Sequence, residues 1–132
     1  MKTNPFFALT AILCGLVVPM HVFGGGPEFP DIVIASGLDG KQSAMYMILW
    51  HAVTVLLIGS TIVYAAAARS ARFRAAVLVV NGQFCAIAVL FLAYGMMDLG
   101  SIWVLPQWVL FFALAAISAP GFIARRKTGA LA

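Results

Sequence analysis

Four apolar runs dominate the chain, each close to the length of a membrane crossing, with short polar or glycine-rich breaks between them. At 1.5 Å per residue, about 20 apolar residues span the roughly 30 Å hydrocarbon layer of a bilayer. The pattern predicts helices over residues 5–23, 43–68, 72–97 and 102–123, with an exterior loop over 24–42. Pro5 suits a first helical turn, where its missing N–H has no intrahelical acceptor to lose. Pro19 loosens the far end of the first helix, and Gly24-Gly25-Gly26-Pro27 stops it. Ile32-Val33-Ile34 inside the loop is too short to span, and is expected at the interface or over the outer mouth of the bundle. The very short breaks after residues 68 and 97 force antiparallel neighbours. The expected fold is all-α: a four-transmembrane-helix antiparallel bundle forming one integral membrane domain over 1–132.

Composition agrees. Hydrophobic residues make up 64% of the chain and charged ones 9%, whereas a soluble domain carries about 25% charged residues. That excludes a separate soluble catalytic domain, a disordered chain and a disulfide scaffold. The net charge of +4 would suit nucleic acid, but the positions of the charges argue against it. Lys2, Arg69, Arg72, Arg74, Arg125, Arg126 and Lys127 sit at helix ends, while Glu28, Asp31, Asp39 and Asp98 fall in the two opposite connections; only Lys41 breaks the segregation. This is the positive-inside pattern, which puts both termini in the cytoplasm and makes the lipid bilayer the expected partner. Trp103 and Trp108 are placed as interfacial anchors. Lys2 ahead of the apolar run from Phe6 to Val18 resembles a signal peptide, but no small-residue cleavage site follows, so a retained first helix is expected. Cys14 and Cys85 lie inside apolar runs and read as small buried hydrophobes.

Candidate chemistry lies in the polar side chains of the spans, which usually face a bundle interior. At about 100° per residue, Thr10, Cys14 and His21 share a face of the first helix. His51, Thr54 and Thr61 share one on the second, and Gln83, Tyr94 and Asp98 one on the third, opposite Asn81 and Cys85. Three stripes facing a common interior are expected. His21 and His51 are the only histidines, and with Trp50, Tyr94 and Asp98 they would line a ligand site in the outer half. Two imidazoles on neighbouring helices are the donors of a b-type haem. Imidazole with the thioethers of Met20, Met47 and Met97 suits copper(I), although no M-x-x-M or C-x-x-C array is present. A transport path would run past Asn81 and Gln83, but no carboxylate lies at mid-depth to exchange protons. No H-E-x-x-H, G-x-S-x-G, P-loop or paired carboxylate argues for an enzyme.

Met20-His21-Val22-Phe23-Gly24-Gly25-Gly26 closes the first helix, and Tyr46-Met47-Ile48-Leu49-Trp50-His51-Ala52 opens the second. On these segments the chain resembles small four-helix bacterial inner-membrane proteins of uncharacterised function, with the glycine–histidine order reversed. DoxX-like four-helix proteins are similar in coarse architecture. The resemblance implies a bacterial inner-membrane location and supplies no reaction, cofactor or catalytic residue. The leading expectation is an accessory or structural subunit that packs as a homo-oligomer or in a larger membrane complex. Its small-residue faces would be Ala65 to Ala68 and Ala113, Ala115 and Ala116, with Gly59 and Gly82 allowing close helix approach.

Overall fold

A computed structural model describes residues 3–124, and every regular element among them is helical. Lys2, Arg125, Arg126 and Lys127 lie outside the described residues. Helix α1 (Pro5–Pro19) starts at Asn4, whose side-chain oxygen accepts the Phe6 and Phe7 N–H groups at 3.1 and 3.3 Å. These are donors that the helix itself leaves unpaired. Pro19 offers no N–H to the preceding turn, and the chain beyond it widens into π-turns over Met20–Gly24. There the Gly25 N–H reaches the Met20 carbonyl at 3.2 Å.

Two expected boundaries change in the connection that follows. Ile32-Val33-Ile34 forms the middle of a short helix, α2 (Pro30–Ala35), with Val33 buried and its two neighbours exposed. Helix α3 (Gly40–Arg69) then begins before residue 43, because the Asp39 carboxylate accepts the Gln42 N–H at 2.8 Å and caps it. A single 3₁₀ turn, Ala71–Phe73, leads into α4 (Arg74–Met97).

The fourth apolar run departs most from expectation. A helix over 102–123 is predicted, whereas α5 covers Gln107–Ser118 and tightens into a 3₁₀ turn over Ala119–Phe122. Pro106 disfavours helical backbone in the residue before it, so the helix starts only after it. Residues 98–106 instead fold back on α4, with the Ser101 N–H on the Gly95 carbonyl at 2.9 Å. Gly95 permits this, since a Cβ there would stand 3.1 Å from the Ser101 oxygen. Pro5–Gly24, Gly40–Arg69 and Ala71–Met97 are thus three helices long and apolar enough to cross a membrane, and Gln107–Phe122 is a shorter apolar helix.

The four long elements close a ring. Helix α1 lies antiparallel along α3, with Asn4 N–H to Ala68 O at 2.8 Å, Cys14 Sγ to Leu57 O at 3.5 Å, and His21 Nε2 against Trp50 O at 3.2 Å. Its other side meets α5, where the Asn4 amide donates to the Gly121 carbonyl at 2.7 Å and Phe7 meets Phe122 edge-on. Helix α4 packs on α5 through Phe84 and Phe91 around Phe111, and on α3 through Tyr64 and Phe84. One end of the ring carries Arg69, Arg72 and Arg74, and the other carries Glu28, Asp31, Asp39 and Asp98. Packing is densest toward the basic end. Every buried residue of α3 lies at or beyond Leu57, and its first four turns contribute none. The Ala67 and Ala68 positions expected to meet a partner are buried inside this core, as is Ala115.

Candidate functional site

Two polar groupings stand out, one buried in the core and one at the acidic end. In the core, the Tyr64 hydroxyl donates to Asn81 Oδ1 at 2.5 Å, and the Asn81 amide donates to Ser118 Oγ at 2.8 Å. The Ser118 hydroxyl also lies 2.9 Å from the Ala115 carbonyl. Tyr64 and Ser118 are fully buried. One side chain each from α3, α4 and α5 thus meets at a single depth. In an apolar surround such bonds fix which helix level faces which, because the alternative registers leave polar atoms unpaired.

At the acidic end, Trp50 is sandwiched. The His21 imidazole stacks on one face with ring centres 3.9 Å apart, and Phe29 stacks on Trp50 at 5.1 Å and 9°. Tyr46 meets Phe29 edge-on. Gly25 makes room for the indole: a Cβ there would fall 2.5 Å from the Trp50 ring. The three glycines therefore do more than end the helix. The second of them lets the connecting loop lie against α3. His21→Ala is expected to release the loop rather than unfold the bundle, since the acidic end holds little of the core. Hydrogen exchange should rise selectively over residues 25–35 while the unfolding midpoint falls only slightly.

Of the residues expected to line an outer site, His21 and Trp50 come together. His51 does not join them. At about 100° per residue it points roughly 140° away from Tyr64, and it is exposed beside Met47, Ile48, Ala52 and Val55. Tyr94 and Met97 on α4 are exposed, as are Asp98 just past its end and Met20 after α1, while Met47 is half-buried. The expected three inward stripes become two partial ones. Thr10 and Cys14 are buried, but Gln83, Tyr94 and Asp98 turn outward, and the opposite face with Asn81 turns in. As arranged here, the two imidazoles do not converge. His21 places Nε2 on a backbone carbonyl, and no group of three or more His, Cys, Asp or Glu among the described residues could hold a metal. His21 is thus engaged with the α3 backbone, while His51, Met20 and Met97 are exposed side chains.

Sequence reasoning missed Phe29, Tyr64 and Ser118. Tyr64 had a readable signal, being a tyrosine set deep within an apolar run whose hydroxyl needs a partner. Phe29 had none, since its place in the stack depends on how the loop folds back.

No family model matches the chain, and no curated protein or solved structure matches it.

Proposed function

We propose that this is a small bacterial inner-membrane protein with four crossings and both termini inside, acting as an accessory or structural subunit through helix packing. The observation that carries the proposal is where the buried polar groups are directed. Tyr64, Asn81 and Ser118 tie three helices together, Asn4 ties the start of α1 to α5, and Cys14 approaches α3. Each such contact joins one helix of the chain to another. The orientation is supported by the arginines at one end and the carboxylates at the other. Gln107–Phe122, at about 1.5–2 Å per residue, would make the fourth crossing across a thin part of the layer. The transport alternative has no comparable support, because Asn81 is engaged in the core and Gln83 faces outward.

One observation favours a second reading, a small polar ligand within the acidic-end half. Thr54 Oγ1 and Gln107 Oε1 are buried without a hydrogen-bond partner among the described residues. One experiment separates the two readings: isolation of the intact protein in mild detergent, with its visible spectrum, elemental content and co-isolated proteins recorded together. A stable self-oligomer or a stoichiometric membrane partner is the expected result. A monomer carrying a Soret band, bound copper or an extractable small molecule would replace the subunit reading with the ligand-binding one.

A further inference from the structure

We propose that the outward face of α4 is where two copies of this chain associate, in parallel, with the Gln83 amides paired across a two-fold axis. This rests on the subunit reading above and names its contact surface. Arg74 and Tyr94 bracket the hydrocarbon layer on α4, since 20 residues at 1.5 Å make about 30 Å. Trp50 and Arg69 bracket a similar length of α3, and His51 then lies at the interface, where water reaches it. Gln83 falls near the middle of the layer. It is exposed there and has no hydrogen bond among the described residues.

The exposed faces of the other helices contrast with it at that depth. Leu9, Ile12 and Leu16 on α1, Val55, Ile58 and Ile62 on α3, and Val109 and Ala116 on α5 are apolar and suit lipid tails. A glutamine amide facing hydrocarbon keeps two donors and an acceptor unsatisfied, which is costly where no water can replace the missing partners. A second glutamine relieves this symmetrically. Each amide donates one N–H to the other's oxygen, which is the self-complementarity that a two-fold contact requires. That pairing points to another copy of this chain in preference to a lipid. The surroundings allow the approach. Gly82 has open space where a Cβ would stand, Ala86 lies one turn on, and Val79 and Leu90 continue the same exposed stripe.

The test is energy transfer between donor- and acceptor-labelled copies of the full chain in phosphatidylcholine vesicles. Wild type should self-associate. Gln83→Leu, which removes both hydrogen bonds of the pair, should weaken the dimer about 10- to 1,000-fold, the range of two interhelical hydrogen bonds in a membrane. Gly82→Leu should weaken it by crowding, and Ile12→Val on α1 should leave it unchanged. Cross-linking guards against a misfolded variant. In a chain with Cys14→Ala and Cys85→Ala, Ala86→Cys on the same stripe should oxidise to a covalent dimer and Ile12→Cys should not. No energy transfer in wild type, or a dimer indifferent to both Gln83→Leu and Gly82→Leu, overturns the inference. A monomer recovered in stoichiometric complex with another membrane protein would overturn it while leaving the subunit reading standing.

Discussion

Asn81→Leu is expected to destabilise the folded bundle by about 1–3 kcal/mol, the cost of leaving a buried polar group without its partner. Leucine keeps the branched four-atom shape of asparagine, so the change opens no cavity while it removes the hydrogen bonds. Ser118 is partly protected, because its hydroxyl still reaches the Ala115 carbonyl. Tyr64 is less protected, with the Ser118 side chain as its other polar neighbour. Its hydroxyl has Asn81 as its hydrogen-bond partner, and the residue is fully buried. Most of the loss should therefore belong to the tyrosine. Tyr64→Phe made together with Asn81→Leu should recover stability relative to Asn81→Leu alone, since the orphaned hydroxyl is then gone. Unfolding from mild detergent by added sodium dodecyl sulfate, run as a double-mutant cycle, measures this directly. A double-variant loss equal to the sum of the two single losses would mean that Tyr64 and Asn81 are not coupled.

Gly121→Val should cost about as much for a steric reason. A Cβ at Gly121 would stand 2.6–2.9 Å from three atoms of the Phe7 ring. That ring cannot swing aside. Phe7 is fully buried and set edge-on against Phe122 at 5.2 Å. The Gly121 carbonyl is also the acceptor for Asn4, so moving the backbone away strains the contact that ties α1 to α5. Overpacking of this kind costs about 1–3 kcal/mol. Gly59→Ala supplies the control, because nothing lies near its missing Cβ and alanine favours helix by about 1 kcal/mol. The same detergent titration should show a loss for Gly121→Val and no loss for Gly59→Ala. If Gly121→Val unfolds at the wild-type midpoint, the close approach of Phe7 is not a constraint on the fold.

Both predictions concern the basic-end core, whereas the sequence pointed to the acidic end. The histidines, methionines and Asp98 drew attention there because they are rare polar or soft groups in an apolar chain. The structure gathers His21, Trp50, Phe29 and Gly25 into a stack that holds the loop, and leaves His51, Tyr94 and Asp98 on the surface. Asn81 was legible as a polar side chain deep within a span, but its partners were not. Tyr64 and Ser118 lie far from it in sequence, and nothing local to Asn81 specifies the levels at which α3 and α5 pass it.

What the sequence alone determines is the solvent and the punctuation. Long apolar runs with so few charges suit only a bilayer, where a helix satisfies its own backbone. Pro5, Pro19 and Gly24–Pro27 mark the ends of α1 because proline lacks a donor and glycine resists helix, and these rules act within a few residues. Which face of each helix turns inward is decided by the tertiary structure. In a water-soluble helix the apolar stripe names the buried side. Here nearly every position is apolar and lipid is as good a neighbour as protein, so periodicity carries little information about facing. The choice falls to fit between distant segments: Asn81 inward because Tyr64 and Ser118 arrive at its depth, Gln83 outward as a consequence, and α5 cut short where Pro106 and Gly95 let the chain fold back.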